Sequence, residues 1–210
     1  MVGKGVLLEA LESDKVEKVL AVNRTSLNLN HPKLEEIILS DVSKIAEVKD
    51  QLENIDACCF CLGISVLGLN EEQYSKITYE ITKTYAEVLY ELNPNMVFNY
   101  VSGTGTDGSE KGKTMWARVK GRTENMVLNK GFKDAYAFRP EGIIPEKGIK
   151  SKTGWYNAIY VITRPLFPLF KKSNNITTTT RIGFAMINSV LYPQELKHLE
   201  NPDINLLAGK

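Results

Sequence analysis

Residues 99–121 read NYVSGTGTDGSEKGKTMWARVKG. An apolar strand (Met96, Val97, Phe98, Tyr100, Val101) delivers Ser102 to its tip, a glycine-rich loop follows, and a helix then carries Trp116 and Lys120 one turn apart. In open α/β sheets ligands bind outside the carboxyl ends of the strands, so this strand–loop–helix unit marks a candidate site. By itself the pairing is weak, because a serine after a strand is commonly a turn residue and aromatic/lysine pairs at i, i+4 occur on many helices.

Outward from this unit, apolar runs alternate with helical stripes. KVLAV (18–22), LEEIIL (34–39), ACCFCL (57–62) and DAYAF (134–138) read as strands, and Val6 to Leu11 as a helical stripe. Tyr74, Ile77, Ile81, Tyr85, Val88, Leu89 and Leu92 repeat at spacings of three and four, which predicts a long helix closed by Asn93-Pro94-Asn95. SKIAEVKDQLENID (43–56) reads as a helix, and the threonine run 177–180 caps a last amphipathic one before INLLA, taken as a strand or tail. Buried strands alternating with helices imply parallel pairing, so the expected fold class is α/β, a Rossmann-like doubly wound, mostly parallel sheet flanked by helices. One domain spanning 1–210 is expected, with 145–180 as a small substrate-side appendage.

Charge and cysteine usage narrow the function classes. The 26 Lys+Arg against 25 Asp+Glu leave a net charge of +1, which removes the electrostatic argument for a nucleic-acid binder. Cys58, Cys59 and Cys61 lie too close along one strand for a disulfide framework, and with only His31 and His198 to add no metal site is expected. They read as buried structural thiols in a reducing, cytoplasmic compartment. The N-terminus lacks secretory-signal features. WYNAIYVITRPLFPLF (155–170), broken by Arg164, Pro165 and Pro168, is short for a bilayer span of about 20 residues. It suits a buried helix and loop, with contact to a membrane surface as the lesser alternative.

In order and spacing the segments resemble an atypical member of the short-chain dehydrogenase/reductase superfamily, in the single-domain, epimerase-like NAD(P)-binding branch that includes the Tat-interacting-protein-like oxidoreductases. The resemblance rests on VGKGVLLEAL (2–11), LAVNR (20–24), LSDVSK (39–44), CCFCLG (58–63), VSGTG (101–105), WARVKGRTE (116–124) and FRPEGIIP (138–145). It implies a dinucleotide cofactor held by Gly3, Arg24, Asp41, Val42, Leu62, Gly63, Lys120, Pro140 and Ile143. Arg24 falls where a basic residue suits the 2′-phosphate of NADP, so NADP(H) is favoured and NAD stays open, as does a solvated arginine. Gly3 matches the last glycine of the family's dinucleotide turn. The usual first strand and the two earlier glycines are therefore expected to be missing, leaving a gap in a 3-2-1-4-5-6 sheet.

Gly103, Gly105 and Gly108 spell a second G-x-G-x-x-G, rejected as a cofactor cradle because Asp107 would set a carboxylate beside the pyrophosphate. The resemblance makes Ser102, Trp116 and Lys120 the catalytic positions, but with Trp116 where the family has its tyrosine acid. An indole has no proton to exchange near neutral pH. Tyr100, or a water held by Ser102 and Lys120, is the expected stand-in. Three readings follow: an NAD(P)-dependent oxidoreductase or epimerase-like enzyme acting on a small carbonyl or sugar, a non-catalytic NADP(H)-binding regulator or scaffold, and a peripheral interaction protein docking through 155–170.

Overall fold

A computed structural model describes residues 1–149, 173 and 175–210. The chain runs α1 (Val2–Glu12), β1 (Val19–Asn23), β2 (Leu34–Ile38), a 3₁₀ run (Val42–Gln51) and β3 (Ala57–Phe60). α2 (Glu71–Ser75) then passes through a π turn (Lys76–Glu80) into α3 (Ile81–Leu92). β4 (Val97–Val101), α4 (Met115–Leu128), β5 (Asp134–Arg139), β6 (Gly142–Ile144) and β7 (Ile176–Thr178) follow, then α5 (Thr179–Leu191), β8 (His198–Glu200) and α6 (Asn201–Ala208).

Among the described residues every strand pair is parallel, as the alternation of strands and helices predicts. The main sheet has the order β3-β4-β5-β8, β1 pairs with β2, and β6 with β7. Both faces of the main sheet are covered. Phe60, Phe98 and Tyr100 pack on one side against Ala86 and Leu89 of α3 and Val127 of α4. Val97, Tyr136 and Phe138 pack on the other against Ile182 and Met186 of α5, Ile204 and Leu207 of α6, and Val6 of α1. On that second side Asn99 is buried at the centre of β4, where its amide donates to the Met186 carbonyl (3.1 Å) and Ser189 Oγ (2.9 Å). That bond pair satisfies a polar group that would otherwise cost stability.

The β1–β2 pair joins the main sheet through side chains and not through a ladder. Ile37 of β2, with Leu20 and Val22 of β1, shares the Phe60–Phe98 cluster, and α1 packs against both β1 and β3. Among the described residues the β1 edge away from β2 and the β3 edge away from β4 pair with no strand. The exposure follows: β1 is apolar yet only half-buried along its length, whereas four of the five β4 residues are buried.

Four expectations need correction. Residues 42–51 form a 3₁₀ run, not an α-helix, interrupted by non-helical backbone at Lys44 and Val48. The 177–180 helix is not the last, and INLLA lies in α6, started by Pro202 and a reciprocal Glu200/Asp203 capping box. Cys59 is exposed and Cys58 and Cys61 half-buried, because β3 has an open edge. The three-residue strands β6, β7 and β8 have no counterpart in the sequence reading, being too short to show periodicity. Segment 155–170 lies outside the described residues.

Candidate functional site

α1 begins beside the exit of β3. A Cβ on Gly3 would lie 3.1 Å from that of Cys61, so glycine lets the first turn come close to the strand end. That turn carries no acidic residue, and its free N–H groups lie beside the exit of β3. A Cβ placed on Gly63, just past β3, would have nothing within 4 Å, and the same holds for Gly103 past β4. Open space thus borders the tips of two neighbouring parallel strands.

Ser102 is 7% exposed, and its backbone N–H donates to the Phe138 carbonyl, pinning it between β4 and β5. Its hydroxyl lies 3.0 Å from that of Thr106, and the Thr106 hydroxyl donates to the Gly103 carbonyl at 2.7 Å. Since a hydroxyl has one proton, Thr106 is committed to Gly103 and Ser102 donates to Thr106, which leaves the Ser102 oxygen as an acceptor. Thr106 had no signal of its own in the sequence.

Lys120 projects from α4 over the Tyr100 ring, 5.7 Å from its centroid. Burial pushes its pKa down to about 8, opposed by the negative charge of Glu124 one turn on. Tyr100 is 1% exposed, and desolvation raises its pKa above the usual phenol range. A hydroxyl so enclosed cannot meet a substrate, so Tyr100 fails as the stand-in acid. Trp116 is half-buried at the start of α4, with its ring edge 3.5 Å from where a Cβ on Gly105 would stand.

The glycine loop is fastened to α4. A Cβ at Gly121 would fall 1.8 Å from the Asp107 carbonyl oxygen, a contact only glycine allows. Asp107 N–H donates to the Ala117 carbonyl, Asn125 to the Gly108 carbonyl, and Arg118 to that of Gly112. Asp107 itself accepts from Ser109 N and Oγ and from Gly112 N, bonds that hold its carboxyl below the usual range. Those loop donors therefore point at the loop's own carboxylate, which agrees with excluding this G-x-G-x-x-G as a phosphate cradle.

A charge cluster missed in the sequence lies beneath the same strand tips. Glu124, fully buried, takes a two-point contact from Arg139 (Nε 2.9 Å, Nη2 2.5 Å). Arg139 reaches Glu200 at 3.5 Å, and Glu200 accepts from Thr104 at 2.9 Å, joining α4, β5, β8 and the Ser102 loop. Its members lie 15 to 96 residues apart in the chain, so no local pattern announces it.

Arg24 is exposed just past β1 and makes no ion pair among the described residues. Asp41 caps the 3₁₀ run by accepting from Ser43 N and Oγ, bonds that lower its pKa, and half-buried Val42 opens that run. Leu62 packs on the Phe60 cluster, while buried Pro140 and half-buried Ile143 flank the β5–β6 link. Ser102 lies just past β4, Lys120 reaches the ring of Tyr100 two residues before it, and Trp116 borders Gly105 in the loop that follows. No group of His, Cys, Asp and Glu among the described residues could hold a metal ion.

No family model and no curated protein matches the chain. Solved structures do. The Bordetella bronchiseptica enzyme WbmH, solved in complex with NAD+, matches with a TM-score of 0.64 at 12% identity over 91% of this chain and 69% of its own. Glucuronic acid dehydrogenase from Chromohalobacter salexigens matches with 0.66 at 11% identity over 99% and 79%, and the KRED1-Pglu enzyme with 0.63 at 13% over 94% and 95%. At these identities the likeness is one of fold: the chain has the α/β architecture of parallel strands flanked by helices that these proteins share, a Rossmann-like fold.

Proposed function

We propose that the chain is an NAD(P)-binding oxidoreductase or epimerase-like protein of the short-chain dehydrogenase/reductase superfamily, acting on a small carbonyl or sugar and favouring NADP(H). The reading is supported by the placement of Ser102 just past β4, of Lys120 over the ring of Tyr100 two residues earlier, and of Trp116 against Gly105, with the uncrowded Gly63 and Gly103 just past β3 and β4. These residues fit a dinucleotide: the acid-free first turn of α1 offers N–H donors to a pyrophosphate, and exposed Arg24 offers a guanidinium to a 2′-phosphate. WbmH and MoeE5, whose structures contain NAD, supply the analogy for the cofactor.

On this reading, one extended segment placed between β1 and β3 and parallel to both would bond two edges that pair with no described strand and would cover Cys59. Calorimetric titration of NADPH and NADH tests the cofactor assignment. NADPH binding more tightly, with the order reversed by Arg24→Asp, is expected; no heat from either cofactor would refute it.

A second reading, a non-catalytic NADP(H)-binding regulator, is favoured by Trp116 standing where the family's acid stands. Restoring that acid with Trp116→Tyr separates the two. A parent inert toward an aldehyde panel with NADPH, and a variant that turns over, supports the regulator; a parent that already oxidises NADPH supports the enzyme.

A further inference from the structure

We propose that Lys120 is itself the proton donor of this site, taking the duty that a tyrosine at position 116 would perform. The inference rests on the dinucleotide reading above and deepens it. It follows from an inventory of exchangeable protons at the β4 tip. The Thr106 proton is committed to the Gly103 carbonyl and the Ser102 proton to Thr106. Tyr100 is enclosed, its hydroxyl meeting Thr123. The Trp116 N–H does not ionise in water. Lys120 remains, with its ammonium over the Tyr100 ring and no carboxylate within 4.0 Å among the described residues.

The surroundings suit the role. Tyr100 of β4 lies under the ammonium, and Tyr74 of α2 acts electrostatically on Tyr100. On α4 itself Glu124 is the one acid that acts on Lys120, and it is shared with Arg139 of β5 and His198 of β8. The neighbouring cations of α4 are engaged elsewhere, Arg118 by Glu71 and Arg122 by the Tyr79 ring. Burial outweighs the partial charge support from Glu124, which brings the ammonium near neutrality, where a general acid works best.

When bound, a reduced nicotinamide supplies a hydride. As the carbonyl carbon accepts it, Lys120 Nζ gives its proton to the carbonyl oxygen, whose π pair becomes the new O–H bond. The products are an alcohol, the oxidised cofactor and a neutral amine, and the amine regains its proton from water. Ser102, an acceptor toward the open side, orients the ammonium or the product hydroxyl.

The test needs no substrate. Oxidised nicotinamide is cationic and repels an adjacent ammonium, so NADP+ binding at pH 8 should expel up to about half a proton from a lysine that is half-titrated there. NADPH, with a neutral ring, should expel none. Calorimetric titrations in phosphate and in Tris read this release as a buffer-dependent heat. The expected result is a buffer-dependent heat for NADP+, none for NADPH, and its loss in Lys120→Arg. Identical heats in both buffers for the parent, with NADP+ bound, would overturn the assignment, and this comparison uses the unaltered chain. Absence of any binding heat would instead refute the dinucleotide reading, and the proton assignment with it.

Discussion

Burial of Lys120 makes stability depend on pH. Its folded pKa, about 8, lies below the ordinary lysine value of 10.5, so the folded chain binds fewer protons than the unfolded one between those pH values. Stability therefore rises with pH across that window, and below pH 8 the buried ammonium is a liability. Lys120→Met should be more stable than the parent at pH 7, with the advantage shrinking as pH approaches 10.5. Thermal melts of both proteins from pH 7 to 10.5 check this; a constant difference in melting temperature would show that Lys120 is not desolvated. The strand–loop–helix unit that carries Ser102, Trp116 and Lys120 was legible because it lies within one short stretch. Thr106 and Glu124 were not, since their roles depend on a turn and on a partner 15 residues away.

At the scale of elements, α4 does two jobs. One turn presents Trp116 and Lys120, and the face of Ala117, Gly121 and Asn125 receives the glycine loop. Gly121→Ala would drive a methyl into the Asp107 carbonyl and lift the loop from the helix. A loss of about 1–3 kcal/mol is expected, as for overpacking in a filled interior, with faster amide exchange confined to 103–113. Unchanged exchange in that loop would mean it is not held by the helix. The runs at 18–22, 34–39, 57–62 and 134–138 announced β1, β2, β3 and β5 because strands that pack on a core carry clustered apolar residues, even where β1 and β2 are only partly buried. The signal for α6 was also present, in Pro202 and Asp203 after Glu200, but INLLA has no helical stripe long enough to outweigh a strand reading.

Among the described residues the β1–β2 pair and the main sheet share one core cluster and α1 without sharing a ladder. Exposed Cys59 on the free-edged β3 reports on that gap. A chain carrying a designed apolar five-residue strand and a glycine turn ahead of Met1 should slow maleimide labelling of Cys59 by about tenfold or more and raise the melting temperature, because pairing both edges removes local opening. Labelling at the parent rate would show that the segment does not enter between β1 and β3. The α/β class was readable from the alternation of runs and stripes. The separation of β1–β2 from the main sheet was not readable from the residues, since edge pairing leaves no trace in the periodicity of either strand.

Trp116 gives the most direct measurement of whether a nicotinamide sits at the β4 tip. In a Trp155→Phe variant it is the sole tryptophan, since the chain has two. Titration with NADPH should quench its emission saturably and sensitise emission from the reduced nicotinamide, because the proposed site places the two rings together. Saturable NADPH binding by calorimetry with no change in Trp116 emission would place the cofactor elsewhere and contradict the account.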